Sequence, residues 1–441
     1  LDDCLRSLGC SRAFYVQQSG VQNMPSSKRT NETEVDQPEN KKMRQCTLNK
    51  EGDLENNKNS LSHWKVSSSL LIYTPPEVKP SPKILALDLD NTVITTASGK
   101  TFPIDCNDWK LLNDKVSTKL KEYHQDGYKI VIMSNQHGIE KGRMTVCDFQ
   151  KKIENIVNKI NVPIQAFFSI IPDRSRKPLT GMWERLEHNA NGDVKVDRSS
   201  SIFCGDAAGR PAQGKRKKDF ACSDLLFAMN VGVKFLTPEQ LWLNESYSGP
   251  FNLPEFSAKK LLESPDPVLP PLAKPSKPEV IIMVGFPASG KSHFCRQRLA
   301  PLGYIIISRD NIGTWQKCVQ ACKAALAKGQ SVVIDNTNID VESRGRYIDV
   351  AKQASCPVRC FIMDTSVEHA RHNERFRMVT DSSHVKVSQV VFNTLKAKYQ
   401  EPQSNEGYVE IIKIPFVLDR SLKEMDLYCM HLLEKLICLV F

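Results

Sequence analysis

The sequence predicts an α/β protein with two doubly wound domains, and three observations support that fold class. Short apolar runs typical of buried strands alternate with helix-like segments in two blocks, at residues 69–244 and 279–430. A proline-rich stretch at residues 245–278 separates the blocks and is interpreted as a linker. Polar motifs follow several predicted strands, as expected of parallel sheets, whose functional groups gather at the carboxyl ends of the strands.

Length, charge and cysteine content indicate the number of domains, the kind of partner and the cellular environment of the protein. At 441 residues, the chain is long enough for two to three domains. Its net charge of +10 favours a polyanionic partner, because a basic surface concentrates phosphates near it. Its 14 cysteines, without a secretory signal or an apolar run long enough to span a bilayer, favour a reduced intracellular protein with no membrane partner.

Residues 1–68 are interpreted as a disordered, basic and polar tail or linker, because they are poor in apolar runs and rich in Ser, Asn, Glu and Lys. Two basic clusters lie in this tail, Lys28-Arg29 and Lys41-Lys42-Met43-Arg44. Such spacing is typical of a bipartite nuclear-import signal and predicts a nuclear protein. A solvated charge run in a linker explains the clusters equally well.

Both blocks alternate strand and helix, which predicts a parallel sheet in each. In the first block the predicted strands are 70–73, 84–87, 129–133, 166–171 and 201–204, with helices near 115–126, 145–160 and 180–190. In the second block the predicted strands are 281–284, 304–308, 331–334 and 359–363, with helices at 314–328 and 341–354 and helical segments to about residue 399. Residues 431–441 form an atypical apolar terminus that is too short to span a membrane.

The motif IIMVGFPASGKS, residues 281–292, has the strand, glycine-rich loop and helix start of a P-loop. Glycines let successive backbone N–H groups point inward around a phosphate, and the helix N-terminus adds its positive dipole end. Lys291 can then reach the β- and γ-phosphates, and Ser292 can hold Mg²⁺. The motif predicts that a nucleoside triphosphate, with ATP as the expected cofactor, binds to these residues and to the rest of the loop: Gly285, Phe286, Pro287, Ala288, Ser289 and Gly290.

Further polar residues of the second block indicate a kinase site and not triphosphate binding alone. Asp310 follows a predicted strand and can accept a proton from an acceptor hydroxyl, although an N-cap role for the next helix remains an alternative. Asp335 ends the strand VVI, where a carboxylate orders the Mg²⁺ shell. Arg371 and Arg375 stand four residues apart and share one helix face, either as a lid over the phosphates or as a salt-bridged surface.

In the first block, Asp88 and Asp90 flank one residue directly after a buried strand. In an extended conformation both side chains point into the same pocket, which suits a nucleophile with a metal and a general acid. An Asp-rich turn at a strand end is the alternative for the pair alone. Ser134, Lys177 and Asp206 follow at or near the ends of later strands. This ordered set resembles the haloacid dehalogenase superfamily, whose phosphatases have a Rossmannoid fold.

That resemblance implies a role for each residue. Asp88 attacks phosphorus and forms an aspartyl-phosphate, while Asp90 first protonates the leaving oxygen and then deprotonates the hydrolytic water. Mg²⁺ is held by Asp88, Asp206 and the backbone carbonyl of Asp90. Ser134 and Lys177 neutralise the phosphoryl oxygens.

The two blocks in this order, with the motifs GDAAGRPA, RKPLTGMW, SRDNIGTWQ, DNTN and RFRMVTDSSH, resemble the metazoan polynucleotide kinase 3′-phosphatase family. The resemblance implies a bifunctional enzyme of DNA-end repair that removes 3′-phosphates and adds 5′-phosphates, with DNA ends as partners and Asp310 as the base. A small-metabolite kinase/phosphatase is the alternative function, and a non-catalytic scaffold is disfavoured because every expected carboxylate, lysine and serine is present.

The chain departs from the family pattern in places. Asn91 stands where the family usually has Gly, and Asn can still turn there. Residues 1–68 show no counterpart of the forkhead-associated domain that docks phosphorylated scaffold proteins. Repair scaffold proteins are candidate partners, but recruitment through a phosphopeptide is not expected. A monomer is expected.

Basic residues near the two sites are candidate contacts to the phosphates of a nucleic acid, which give affinity without sequence preference. A solvated loop is the alternative for the run at 215–218. The candidates are Lys215 to Lys218, Arg174, Arg176 and Lys177 near the first site, and Arg344 and Arg346 near the second.

Overall fold

Two sheets, one after the other along the chain, organise the computed structural model, which describes residues 63–214 and 216–433. The predictions for the basic clusters of the tail, for Lys215 and for residues 434–441 lie outside the described residues. All described residues belong to one compact unit of the chain.

The first sheet has seven strands in the order β1-β2-β7-β6-β3-β8-β9. The strands β7, β6, β3, β8 and β9 pair in parallel, and β1 and β2 add an antiparallel edge. The strand bounds are β1 (Trp64–Val66), β2 (Leu70–Tyr73), β3 (Ile84–Leu87), β6 (Lys129–Asn135), β7 (Ile164–Ser169), β8 (Ile202–Cys204) and β9 (Lys234–Leu236), with a separate hairpin of β4 (Ile94–Thr95) and β5 (Lys110–Leu111).

Helices cover both faces of this sheet, because each central strand alternates between two apolar cores. Leu85 and Leu87 of β3 belong to one core, and Ile84 and Ala86 to the other. The helices are α1 (Lys115–Gln125), α2 (His137–Glu140), α3 (Val146–Ile160), α4 (Gly181–Asn189), α5 (Ser223–Val231) and α6 (Pro238–Leu243).

The second sheet has five strands, all parallel, in the order β11-β12-β10-β13-β14. Its central strand β10 is buried on both faces, since Ile282 packs in one core and Ile281 in the other. The strands are β10 (Val280–Val284), β11 (Ile305–Ile307), β12 (Val332–Ile334), β13 (Val358–Asp364) and β14 (Glu410–Pro415). The fold class predicted from the sequence, two doubly wound α/β units, is confirmed.

Helices surround the second sheet in the same manner. They are α8 (Lys291–Phe294), α9 (Arg309–Ile312), α10 (Trp315–Ala327), α11 (Val341–Gln353), α12 (Val367–Thr380), α13 (Gln389–Lys398) and α14 (Met425–Cys429). A π-helical turn, Cys295–Leu299, continues directly from α8. Among the described residues, no helix is long and apolar enough to cross a bilayer.

Two segments contain structure that the sequence analysis did not predict. The proline-rich stretch includes the short helix α7 (Ala258–Glu263), which begins at the capping hydroxyl of Ser257. Ala258 packs with Leu418 and Tyr428 in a small apolar cluster, so this stretch lies against residues near α14. Strand β1 lies within the segment that the sequence analysis interpreted as a tail, and it pairs with β2 in antiparallel register.

Candidate active sites

The first candidate site lies at the carboxyl ends of the neighbouring parallel strands β3 and β8. Asp88 follows β3, and its backbone N–H donates to the carbonyl of Cys204, the last residue of β8, at 2.9 Å. Asp206 follows β8, and its backbone N–H donates to the hydroxyl of Thr92 at 3.1 Å. The parallel pairing of the two strands therefore brings Asp88 and Asp206 together.

A third carboxylate, Asp224, completes this group and was missed by the sequence analysis. One oxygen from each of Asp88, Asp206 and Asp224 lies within 4.8 Å of the others. Asp224 stands in the first turn of α5, and its Oδ2 accepts a hydrogen bond from the backbone N–H of Ala207 at 3.0 Å. The only sequence signal was an acidic residue at a helix start, which ordinarily indicates favourable interaction with the helix dipole.

Lys177 is the counter-ion of this cluster. Its ammonium lies 2.7 Å from Oδ1 of Asp88 and 2.6 Å from Oδ1 of Asp224, and its side chain is 1 % exposed. The Asn135 side chain holds the backbone of Lys177 on both sides: Oδ1 accepts from the N–H at 2.9 Å, and Nδ2 donates to the carbonyl at 3.0 Å. Asn135 ends β6, so the sheet itself positions the lysine.

The charge balance of this cluster favours a cation. Burial lowers the pKa of Lys177, but the carboxylates of Asp224 and Asp88 outweigh that effect and raise it. Burial and repulsion from neighbouring carboxylates raise the pKa of Asp206 well above its usual range, and burial raises the pKa of Asp224 to about 7. Three carboxylates against one ammonium leave two negative charges uncompensated when all are ionised. Such an oxygen cluster fits a hard divalent cation.

Asp90 and Ser134 lie beside the carboxylate cluster and are joined by a residue that the sequence analysis missed. The Gln136 side chain donates to Oδ2 of Asp90 at 2.7 Å and to the hydroxyl of Ser134 at 3.1 Å. Desolvation by the surrounding protein raises the pKa of Asp90, although the residue keeps an exposed surface. Asn91 adopts the left-handed φ of 57°, which asparagine tolerates better than most residues.

The second candidate site is the loop between β10 and α8. Gly290, the residue directly before α8, has a φ of 99°, and Ala288 has a φ of 56°. These left-handed residues turn the loop back on itself. The ammonium of Lys291 donates to the carbonyls of Gly285 at 3.0 Å and Phe286 at 2.7 Å, and burial lowers its pKa to about 8.

Asp335 and Asp310 face Lys291 across this loop. Burial raises the pKa of Asp335 while the hydroxyl of Ser292 lowers it by a hydrogen bond, so the two predicted metal-binding side chains are in contact. Oδ1 of Asp335 is buried without a hydrogen-bond partner, as expected of an atom that ligates a cation. Asp310 is near enough to raise the pKa of Lys291. Ser308, not Asp310, caps helix α9.

Helix α12 carries Arg371 and Arg375 and contacts the same loop through Asn373, whose Nδ2 donates to the carbonyl of Ala288 at 3.0 Å. Nη1 of Arg375 donates to the carbonyl of Pro172 at 3.1 Å, in the segment between β7 and α4 that also carries Lys177. The proposed lid role of these arginines over phosphates stays a prediction.

The suggestion that Arg344 contacts nucleic acid was wrong. Arg344 is fully buried, and its guanidinium makes a bidentate ion pair with Glu406 and donates to the carbonyls of Asn338 and Gln400. A buried guanidinium without such partners is costly, so the residue is structural. Arg346 pairs with Glu342 and lies 4.2 Å from the ring of Trp315.

Comparisons with known proteins agree with two enzymatic units. Residues 83–242 match the family model described as polynucleotide kinase 3 phosphatase, and residues 280–402 match a model described as AAA domain. A relative from Schizosaccharomyces pombe named "Bifunctional polynucleotide phosphatase/kinase" is 38 % identical over 354 residues, which cover 80 % of this chain and 84 % of the relative.

Two further relatives differ in how much of this chain they cover. A protein of Acanthamoeba polyphaga mimivirus, described in similar terms to the Schizosaccharomyces relative, is 32 % identical over 390 residues, covering 81 % of this chain and 91 % of its own length. A Saccharomyces cerevisiae protein named "Polynucleotide 3'-phosphatase" is 27 % identical over 216 residues, covering 36 % of this chain and 87 % of its own length.

Proposed function

This chain belongs to the family of bifunctional polynucleotide phosphatase/kinases, and from that premise we propose that it acts on DNA ends, removing 3′-phosphates and phosphorylating 5′-hydroxyls. The observation that carries the proposal is a pair of polar clusters at the ends of the two sheets: three carboxylates with Lys177 in the first, and Lys291 in its loop in the second. The domain limits we propose are 69–244 for the phosphatase, 245–278 for the linker and 279–430 for the kinase. Strand β1 (Trp64–Val66) adds an edge to the phosphatase sheet before the first limit.

The enzyme uses a nucleotide and a metal, and we propose ATP and Mg²⁺ specifically. Mg²⁺ prefers hard oxygen ligands. The first site offers the carboxylates of Asp88, Asp206 and Asp224. The second site offers the hydroxyl of Ser292 and the carboxylate of Asp335. When bound, Mg²⁺ would withdraw charge from the phosphoryl oxygens and so favour nucleophilic attack on phosphorus.

In the phosphatase reaction, Asp88 attacks the phosphorus of the 3′-phosphate and the P–O bond to the sugar breaks, leaving an aspartyl-phosphate on Asp88. Asp90 gives its proton to the departing sugar oxygen and later takes one from the water that hydrolyses the aspartyl-phosphate. Its raised pKa supports the acid role. Gln136 orients Asp90, while Lys177 and Ser134 stabilise the charge on the phosphoryl group.

In the kinase reaction, Asp310 takes the proton of the 5′-hydroxyl as the oxygen attacks the γ-phosphorus of ATP, and ADP leaves. Backbone N–H groups of residues 285–290 and the start of α8 cradle the phosphates. Lys291 leaves the carbonyls of Gly285 and Phe286 to pair with phosphate oxygens. We propose that Arg371 and Arg375 assist from helix α12.

DNA is the substrate class that the exposed charges favour. Lys217 and Lys218 are exposed in the segment between Asp206 and Asp224, and the neighbouring Phe220 is 63 % exposed. Cations contact phosphates of any sequence, and an exposed aromatic ring can stack on an unpaired base. We propose that the enzyme repairs broken DNA in the nucleus.

Two single substitutions test the division between the sites. With a 3′-phosphorylated and a 5′-hydroxyl oligonucleotide, we expect Asp88→Asn to abolish release of inorganic phosphate and to keep ATP-dependent labelling. We expect Lys291→Ala to do the reverse, because each reaction depends on its own group. Activity should fall by about 10³-fold or more in each affected reaction.

Matched controls are Asp126→Asn and Lys323→Ala, both exposed positions away from the sites. They should leave both activities unchanged. Loss of both reactions in Asp88→Asn or in Lys291→Ala would contradict separate sites. Turnover of small phosphorylated metabolites, with none of the oligonucleotides, would favour the alternative of a metabolite enzyme.

A further inference from the structure

The loop that carries Lys177 is held from two sides, by the side chains of Asn135 and Asn230. On the first side, Asn135 at the end of β6 pairs with the backbone of Lys177, as described above. On the second side, Asn230 near the end of α5 donates from Nδ2 to the carbonyl of Pro178 at 2.8 Å. Residues 177–180 are buried.

Asn230 also joins this loop to a distant part of the chain. Its Nδ2 donates to the carbonyl of His431 at 3.0 Å, and its Oδ1 accepts from the backbone N–H of His431 at 2.8 Å. One side chain of the phosphatase domain thus satisfies both backbone groups of a residue that follows the whole kinase sheet. Because both contacts on His431 are to its backbone, the imidazole is not required for them.

Neighbours of His431 reach the same loop. Glu424 pairs with Arg174 at 2.5 Å, and Sδ of Met430 lies 3.7 Å from the hydroxyl of Thr180. We call residues 424–431 the closing segment. It contacts positions on both sides of Lys177 in sequence.

The closing segment is itself anchored on helix α12 of the kinase domain through Tyr428, which is buried. The Tyr428 hydroxyl donates to Oδ1 of Asn373 at 2.6 Å, and its carbonyl lies 2.8 Å from Nε2 of His372. Asn373 in turn donates from Nδ2 to the carbonyl of Ala288, in the loop between β10 and α8. Helix α12 of the kinase domain therefore supports the closing segment.

We propose that the closing segment and Asn230 position Lys177 for the phosphatase reaction. The inference rests on the proposed function, because it assigns the segment to the 3′-phosphatase. The ammonium of Lys177 must stay within hydrogen-bond reach of both Asp88 and Asp224, and small displacements of a catalytic group are costly in rate. Removing one partner also leaves buried polar groups unsatisfied, which favours a shift of the loop.

Because the closing segment acts on Lys177 through the loop, we expect its loss to reduce the 3′-phosphatase rate and not to abolish it.

The test compares His431→Pro with His431→Ala in the full chain. Proline removes the backbone N–H that donates to Oδ1 of Asn230. Alanine keeps both the N–H and the carbonyl that Asn230 contacts. We expect His431→Pro and Asn230→Ala to lower kcat of the 3′-phosphatase about tenfold, with KM for the 3′-phosphorylated oligonucleotide and kcat of the kinase unchanged. His431→Ala should match the wild type.

Three outcomes would overturn the proposal: wild-type phosphatase kcat in both Asn230→Ala and His431→Pro, a parallel fall of kinase and phosphatase that follows the melting temperature, or an equal loss in His431→Ala. The parallel fall would assign the segment a purely structural role. Absence of phosphate release by the wild type itself would instead reject the proposed function, so the two failures are distinguishable.

Discussion

Gly205 lies between strand β8 and Asp206, and the carboxylate of Asp224 occupies the space where a side chain at residue 205 would begin. A Cβ there would lie 2.3 Å from Oδ2 of Asp224, closer than any real contact of this kind. The missing side chain is what allows α5 to bring Asp224 up to Asp88 and Asp206.

We expect Gly205→Ala to push Asp224 away from the cluster. The overlap should lower the free energy of unfolding by about 1–3 kcal/mol and should raise the Mg²⁺ concentration needed for half-maximal phosphatase rate. Thermal unfolding and a Mg²⁺ titration measure the two effects. Gly138→Ala is the matched control, because a Cβ there meets only Arg143 carbons at ordinary distances. Wild-type metal dependence in Gly205→Ala would contradict this role.

Residue-level prediction from the sequence worked where a polar group directly follows a strand. Asp88 and Asp206 could be placed together because parallel strands end at one edge. Asp224 could not, because its position depends on how the long segment after Asp206 returns to the sheet. Gln136 has no signal of its own, since a glutamine beyond a strand end is ordinarily a surface residue.

At the scale of elements, the buried strands and long helices were predictable because their apolar spacing is strong. The edges were not. Strand β14 was missed, and its residues Glu410 and Lys413 show why: an edge strand carries exposed charges that hide its period. Helix α7 was hidden by prolines on either side, and its pairing with α14 is a tertiary effect.

Helix α11 contains a glycine that its structure does not require. Gly345 has an ordinary backbone conformation inside Val341–Gln353 and no atom within 4 Å of a built Cβ. Gly345→Ala should therefore raise the free energy of unfolding by about 0.5–1 kcal/mol, mainly by restricting the unfolded chain.

Chemical denaturation measures this gain. Gly303→Ala provides the contrast: its surroundings are equally open, but its φ of 90° is left-handed, so the same change should destabilise. Equal effects of the two substitutions would contradict the argument from backbone conformation.

At the scale of the whole molecule, two histidines are buried where α12, the linker and residues near α14 meet. The ring of Phe256 stacks on His369 at 4.1 Å between ring centroids, and His372 lies against Tyr428. Burial lowers the pKa of His369 to about 4 and that of His372 to about 3. Both imidazoles are therefore neutral in the folded protein at physiological pH.

This burial predicts loss of stability in mild acid. In the unfolded chain these imidazoles titrate near pH 6.5, so between about pH 6.5 and 4 the unfolded state binds protons that the folded state does not. The free energy of unfolding should fall as the pH falls through this window, by a few kcal/mol. Melting temperatures at pH 7.5 and 5.5 measure the fall.

A double substitution, His369→Gln with His372→Gln, should flatten this dependence, because glutamine does not titrate. His124→Gln, at an exposed position of α1, is the control and should retain the wild-type slope. An unchanged slope in the double variant would assign the acid sensitivity to other groups.

The contact between Asn230 and His431 also bears on biosynthesis. On the ribosome, the phosphatase half emerges and folds first, since domains generally fold in the order of their translation. The loop that carries Lys177 cannot contact the closing segment until nearly all of the described chain has been synthesised. On the proposed role of that segment, a nascent or prematurely terminated polypeptide would have a low phosphatase kcat. The full phosphatase rate would be reached only when the kinase domain is also complete.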